Sequence, residues 1–188
     1  MRAMSVNGVA TSGCAAKLRG LIKPNGILRD LLFLLLKIAV IVAVFALMFT
    51  FLFGIMRYPE PSMDPSVKDR DLVIFYRYTK AGYAQGDVIA LKYNGQGQTR
   101  RVVARAGDTV DITDDGLIVN GAVQQEPGIA GETVRYDSGI IFPLTVPEGQ
   151  VFVLADNRAG ATDSRIYGPV RVKDTNGKVM ALIRIRNI

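Results

Sequence analysis

The residue of this chain whose type and surroundings point most directly to chemistry is a serine framed by prolines. Pro61-Ser62-Met63-Asp64-Pro65 follows a long apolar stretch that ends near Met56. A serine hydroxyl attacks a carbonyl only when a neighbouring group takes its proton. The 188 residues include no histidine and one cysteine, Cys14, which excludes a Ser-His-Asp triad and a histidine-ligated metal. Lysine remains the common proton acceptor, in a Ser-Lys dyad whose lysine has a pKa lowered by burial.

The apolar run before the serine predicts a membrane anchor. Residues 38–56 carry no charge, and residues 31–36 extend the run upstream. About 20 apolar residues at ~1.5 Å rise cross a hydrocarbon core of ~30 Å. A buried core helix would be shorter and amphipathic, and a cleavable signal peptide would end in small residues rather than Arg57-Tyr58-Pro59. We therefore predict one retained transmembrane anchor over residues 31–56.

The distribution of charge predicts the orientation of that anchor. Of the 23 basic and 17 acidic residues, residues 1–37 hold six and one, which leaves 17 and 16 in the rest of the chain. Basic residues favour the cytoplasmic side of a membrane, so residues 1–30 are predicted to be a cytosolic tail and residues 57–188 an extracytoplasmic domain. That domain is nearly neutral, which argues against nucleic-acid binding. We expect membrane lipid as a partner and no cofactor or metal.

The remaining sequence is patterned as short strands. Runs rich in β-branched or aromatic residues, mostly bounded by Gly, Asn, Asp or Pro, predict strands at residues 72–78, 88–93, 101–106, 109–113, 117–123, 150–155, 169–172 and 178–185. Asn120-Gly121 is typical of a tight hairpin, and residues 128–147 are predicted to be an irregular excursion. Many short strands with little helix indicate a mainly β domain, either a barrel or a folded sheet.

Several spaced motifs of the outer domain occur in an order that identifies a family. They are Pro61–Ser66, Gly86–Ile89, Arg100–Asp108, Asn120-Gly121, Ala155–Arg158, Asp163-Ser164-Arg165 and Gly168. This series resembles the type I signal peptidases, membrane-bound enzymes that remove signal peptides from exported proteins. The resemblance implies a signal-peptidase-like β fold behind one transmembrane helix, with Ser62 as the nucleophile and its backbone N–H in the oxyanion hole. It also implies an extended substrate along a sheet edge, with Tyr58, Pro59 and Met63 as the candidate wall of the binding pockets.

Three positions depart from the family pattern. The slot of the family's general-base lysine holds Arg100, and a guanidinium stays protonated and cannot accept the serine proton. Ala161 stands three residues after Arg158, where the family usually has a small hydroxyl residue that orients the lysine. Glu60 stands where some members use a serine hydroxyl as an oxyanion donor, and a carboxylate there repels negative charge.

A substitute base is available if the hairpin after the second predicted strand has a long turn. With a turn over residues 94–98, Lys92 would face Arg100 on one side of the sheet, with Cβ atoms ~5 Å apart. The Arg100 charge would then lower the lysine pKa, as a base requires. The alternative is a solvated lysine at a strand end.

The other charged residues of the motifs are predicted to support the site. These are Arg101, Asp156, Arg158, Asp163 and Arg165, which we interpret as buried ion pairs. Arg100 could pair with one of these acids, and Ser62 on its own could be an ordinary loop serine.

Three functions remain open from the sequence. The first is a membrane-anchored serine endopeptidase that cleaves signal peptides of exported preproteins after small residues. The second is a catalytically silent relative that keeps the peptide-binding groove and serves as an assembly factor for secreted subunits such as pilins, a role known in the resembled family. The third is a membrane-attached β domain with a structural role.

Overall fold

The structure is a computed structural model and describes residues 24–58, 60–77 and 82–184. The chain divides into two compact units that adjoin in the sequence at Met48 and Phe49. The helices are α1 (Pro24–Leu52) and α2 (Ser164–Tyr167), and a 3₁₀ turn covers Val172–Asp174. The strands are β1 (Phe53–Arg57), β2 (Leu72–Tyr76), β3 (Val88–Tyr93), β4 (Gln96–Arg105), β5 (Thr109–Thr113), β6 (Gly116–Val119), β7 (Ala122–Val123), β8 (Leu144–Thr145), β9 (Gln150–Leu154), β10 (Val170–Arg171) and β11 (Thr175–Ile183).

The apolar run forms one helix that is long enough to cross a membrane. The span runs from Gly26 to Leu52 and none of its most apolar window is buried. The predicted anchor, residues 31–56, was wrong at its end, because its last four residues form most of β1. Hydropathy does not distinguish a membrane helix from an apolar strand that directly follows it. Of the predicted tail, residues 24–30 are helical and residues 1–23 lie outside the described part.

The domain after the helix consists of two antiparallel sheets. The larger has the order β1-β2-β11-β3-β4-β9-β10, and the smaller has the order β7-β6-β5-β8. The prediction of a mainly β domain is confirmed, and β3 and β5 have the predicted bounds. The predicted strand at 117–123 is a hairpin of two strands about Asn120-Gly121, whose positive φ angles of 53° and 79° suit a tight turn.

Three apolar clusters hold these sheets and their loops together. The largest joins β4 and β9 of the larger sheet to β5 and β6 of the smaller sheet, with Phe152 and Ile112 fully buried. A second cluster packs on β3, β4 and β9 through Ile89 and Val153. The third lies beneath the loop that follows β1 and contains Met63. Ser62 lies in that loop, directly before Met63, so packing of this cluster holds the serine in place.

Strand β11 lies between β2 and β3 and depends on a glycine where its pairing shifts register. A Cβ on Gly177, whose φ is 141°, would lie 2.0 Å from the carbonyl oxygen of Tyr76. We expect Gly177→Ala to lower the free energy of unfolding by about 3 kcal/mol, because a backbone clash adds to the strain of positive φ. Circular dichroism melting of the full chain in detergent measures the loss.

Gly95→Ala is the matched control for that change. Gly95 has a φ of 80°, but a Cβ there would meet no atom within 4 Å. Backbone strain alone should lower the free energy of unfolding of Gly95→Ala by about 1–2 kcal/mol. Equal losses in the two variants would show that the close approach at Gly177 does not limit stability.

Candidate functional site

The loop between β1 and β2 fixes the position of Ser62. Its two ends are tied together, since the Tyr58 N–H donates to the Asp71 carbonyl over 3.0 Å and the Arg70 N–H donates back to Tyr58 over 2.8 Å. The Met63 side chain is fully buried, and the Ser62 carbonyl accepts a hydrogen bond of 3.0 Å from the Asn157 N–H. The turn is therefore held against the segment after β9 by the buried Met63 side chain and by the hydrogen bond between Asn157 and the Ser62 carbonyl.

Arg100 reaches Ser62 from β4. Its side chain is fully buried, and its Nη1 donates to Ser62 Oγ over 2.9 Å and to the Thr99 carbonyl over 2.6 Å. The Thr162 carbonyl accepts from both Nε and Nη2, at 3.1 and 2.8 Å. The Glu60 carboxylate supplies the opposite charge, with Oε2 at 3.4 Å from Nη2. The lysine slot of the motif thus holds a cation whose charge and N–H groups are well satisfied.

Ser62 Oγ has three hydrogen-bonding side chains around it. It accepts a hydrogen bond from Arg100 and donates one to Glu60 Oε2 over 3.0 Å, while the Tyr58 hydroxyl lies 2.7 Å away. A hydroxyl has one proton and two acceptor lone pairs, and a guanidinium only donates. Since the serine proton is given to Glu60, Tyr58 must donate to Ser62. All three hydrogen-bonding positions of the serine oxygen are therefore used.

Tyr58 cannot take the serine proton in place of lysine. Burial raises the pKa of its hydroxyl above the ordinary value, and the hydrogen bond to Ser62 and the charge of Arg100 offset this only in part. The phenol therefore stays protonated near neutral pH and acts as a donor.

Lys92 is not placed as a substitute base, and the predicted pairing with Arg100 was wrong. The observed register pairs Arg100 with Ile89 and pairs Lys92 with Gly97, three residues further along β3. Because side chains alternate along a strand, an offset of three puts Lys92 on the other face of the sheet, about 10 Å along the strand. Its side chain is exposed, which agrees with the solvated alternative.

Two of the three residues predicted to line the substrate-binding pockets are buried. Tyr58 and Met63 have no exposed surface and pack in one apolar cluster with Val67 and Val73. The Met63 sulfur accepts a hydrogen bond of 3.3 Å from the Asp156 N–H, so this side chain fastens the serine loop to the neighbouring segment. Both residues support Ser62 from beneath. Pro59, the third candidate, lies outside the described residues.

Ala161 is buried in the segment that carries the polar partner of Arg100. An alanine side chain offers no hydroxyl, and the carbonyl of the next residue, Thr162, accepts the two guanidinium hydrogen bonds. Arg100 is thus oriented by backbone in this region.

The charged residues predicted to support the site form ion pairs. Arg101 forms a bidentate ion pair with Asp156, with N–O distances of 2.8 and 2.6 Å, and Arg165 pairs with Asp163 at 2.9 Å. Arg158 pairs with Glu126 at 2.5 Å, an acid that the motif pattern does not single out. The suggestion that Arg100 pairs with one of the motif acids was wrong, because its partner is Glu60, two residues from the serine.

The hydrogen bond between Glu60 and Ser62 was not predicted. The sequence indicated only that this carboxylate would repel an oxyanion, whereas in the structure it accepts a hydrogen bond from the serine hydroxyl. A signal for this contact was present, since only the rigid Pro61 separates the two residues. Within residues 24–58, 60–77 and 82–184, no group of three or more His, Cys, Asp or Glu side chains is arranged to hold a metal ion.

An apolar helix long enough to cross a membrane precedes a mainly β domain with a polar site around Ser62, which is the architecture of a membrane-anchored protein with a serine-centred site. The family described as "Signal peptidase, peptidase S26" matches residues 31–183. The chain belongs to this family, as its motifs predicted, and is a membrane-anchored protein like signal peptidase I.

Named relatives share moderate identity with the chain. Signal peptidase I of Bacillus amyloliquefaciens is 32% identical over 139 residues, which cover 68% of this chain and 72% of that protein. Signal peptidase IB of Staphylococcus aureus (strain N315) is 28% identical over 169 residues, which cover 80% of this chain and 88% of the relative. The chain spans a much smaller share, 30%, of the thylakoidal processing peptidase 1 of Arabidopsis thaliana, with 35% identity. A solved signal peptidase I from Enterococcus faecalis V583 is 32% identical, covers 52% of this chain and 97% of its own, and has a TM-score of 0.44.

Proposed function

We propose that this protein acts on the signal peptides of exported preproteins as a membrane-anchored serine endopeptidase, with Ser62 as the nucleophile and without a lysine base. The observation that carries the proposal is the position of Ser62 Oγ, which lies on a fixed loop and donates a hydrogen bond to the Glu60 carboxylate. Membership of the signal peptidase family supports the substrate class. The excess of basic residues before the anchor supports a cytoplasmic N-terminus and an extracytoplasmic domain.

A second candidate function is a silent signal-peptide-binding protein that assists the assembly of secreted subunits such as pilins. One observation favours it. Arg100 and Tyr58 both donate to Ser62 Oγ, so that neither lone pair of the oxygen is free to attack a carbonyl until one donor leaves. In this function Arg100 would prevent Ser62 Oγ from attacking a carbonyl carbon and would leave the surrounding fold unchanged.

Cleavage of a synthetic signal-peptide substrate separates the two functions. The purified full chain in detergent is expected to cleave after a small residue, and Ser62→Ala should abolish cleavage because it removes the nucleophile. Ser138→Ala, a change at an exposed serine outside the site, is the matched control and should cleave at the wild-type rate. Substrate binding without cleavage by the wild-type protein would favour the silent function. Cleavage that survives Ser62→Ala would exclude Ser62 as the nucleophile.

A further inference from the structure

Of the three side chains that hydrogen-bond the Ser62 hydroxyl in the described structure, only Glu60 can take up its proton. Three side chains hydrogen-bond this oxygen: Arg100, Tyr58 and Glu60. The guanidinium has no lone pair to offer, and burial keeps the Tyr58 phenol protonated. The Glu60 carboxylate remains, and its Oε2 accepts the serine proton over 3.0 Å. This distance is within the reach required of a general base.

The local sequence and one ion pair hold the carboxylate over the serine. Glu60 stands between Pro59 and Pro61, and the ring of Pro61 fixes φ at the residue that links the carboxylate to Ser62. Arg100 Nη2 lies 3.4 Å from Glu60 Oε2, while Nη1 of the same guanidinium donates to Ser62 Oγ. One planar group therefore contacts both the proton acceptor and the nucleophile. The Glu60 side chain is 27% exposed, so solvent reaches this carboxylate.

We propose that Glu60 is the general base that replaces the missing lysine, and that Arg100 stabilises the charge that develops on Ser62. This inference rests on the proposed peptidase function for its substrate and goes beyond it in assigning the proton path.

In the proposed reaction Glu60 carries the proton between Ser62, the leaving nitrogen and water. The Ser62 O–H bond breaks and its proton passes to Glu60, while Oγ bonds to the scissile carbonyl carbon and the C=O electron pair moves onto the carbonyl oxygen. The oxyanion pair then re-forms the C=O bond as the C–N bond breaks, and the protonated Glu60 gives its proton to the leaving nitrogen, which leaves an acyl ester on Ser62. A water oxygen attacks the ester carbon while Glu60 takes a water proton and the C=O pair again moves onto oxygen. The C=O bond re-forms as the ester C–O bond breaks, the proton returns from Glu60 to Oγ, and the new carboxyl end of the cleaved peptide is released.

Arg100 assists this path although it cannot accept a proton. Its Nη1–H donates to Oγ, and a hydrogen bond to a charged form stabilises that form, so the contact strengthens as negative charge develops on the oxygen. The serine is thereby made easier to deprotonate, which suits a weak base such as a carboxylate. Tyr58 must turn its O–H away to free a lone pair for attack, a rotation about a single bond.

Covalent labelling of Ser62 by a small fluorophosphonate tests the assignment without any signal peptide. The wild-type full chain in detergent is expected to label at one site, and Ser62→Ala should remove that label. Glu60→Gln should slow labelling by about 100-fold, the lower range of what a general base contributes. Glu60→Asp should keep more of the rate than Glu60→Gln, since it retains a carboxylate. Glu148→Gln, at an exposed acid, is the matched control and should label like wild type.

Chemical rescue separates a base from a merely structural residue. In Glu60→Ala, added formate should restore labelling in proportion to its concentration, whereas chloride at the same ionic strength should not. Melting curves of every variant show whether it is folded, and rescue remains informative if Glu60→Ala is less stable. Labelling of Glu60→Gln at the wild-type rate, absence of rescue in folded Glu60→Ala, or absence of wild-type labelling would each overturn the assignment. Labelling that depends on Glu60 in a protein that cleaves no signal peptide would support the proton path and refute the proposed substrate.

Discussion

The triple variant Glu60→Ser/Arg100→Lys/Ala161→Ser is expected to label and cleave about 100-fold faster than Glu60→Ser alone, because it rebuilds a Ser-Lys dyad. The Arg100 side chain has no exposed surface, and burial there would lower the pKa of a lysine amine towards the range of a useful base. The Thr162 carbonyl, which accepts hydrogen bonds from the guanidinium, would accept a hydrogen bond from the lysine amine. Labelling and peptide cleavage of the full chain in detergent measure the gain.

The double variant Arg100→Lys/Ala161→Ser is the informative comparison, because it keeps Glu60. A carboxylate close to the new lysine favours the charged ammonium form, so this variant should gain less than the triple variant. The same carboxylate is thus required beside an arginine and harmful beside a lysine. Arg100→Met, which supplies neither charge nor base, controls for packing. A triple variant no faster than Glu60→Ser would mean that the lysine slot of this chain no longer faces Ser62 as a base must.

The turn after β3 shows how much of the site the sequence could predict. Asn94-Gly95 carries the same dipeptide signal as Asn120-Gly121, and both pairs have the positive φ angles of a two-residue turn. A two-residue turn sets the register that pairs Tyr93 with Gln96. The prediction instead used a turn over residues 94–98, and this error alone placed Lys92 opposite Arg100. The strand itself was predicted correctly, so the information missed was local and readable.

The environment of Ser62 could be predicted only in part. The order of motifs located the serine and the lysine slot, because these depend on residue identity at fixed places in the chain. The acceptor of the serine proton depends on where a short carboxylate side chain points after residues 40 positions apart, Glu60 and Arg100, have packed together. For the same reason, the sequence did not indicate that Glu126 is the partner of Arg158. Tertiary contacts of this kind leave no periodic pattern in the sequence.

Asp163→Ala is expected to lower the free energy of unfolding by about 3–5 kcal/mol, because it leaves a buried guanidinium without its counter-charge. Both Asp163 and Arg165 have fully buried side chains, joined by two hydrogen bonds of 2.9 Å. The Asp163 carboxylate also caps α2 by accepting from the Arg165 N–H, and it accepts from the N–H of Ala155. Denaturant unfolding of the full chain in detergent, followed by circular dichroism, measures the loss.

Asp174→Ala provides the matched control, since it also removes an acid from an arginine pair. Asp174 lies 2.5 Å from Arg171, but the two side chains are 45% and 59% exposed, so water can solvate the remaining charge. This loss should be at most about 1 kcal/mol. The contrast tests burial, because in each pair the acid and the arginine are close in space and only two or three residues apart in the sequence. If the two variants lose equal stability, the Asp163–Arg165 pair does not hold the segment that carries Thr162, and the orientation of Arg100 against Ser62 must depend on other contacts.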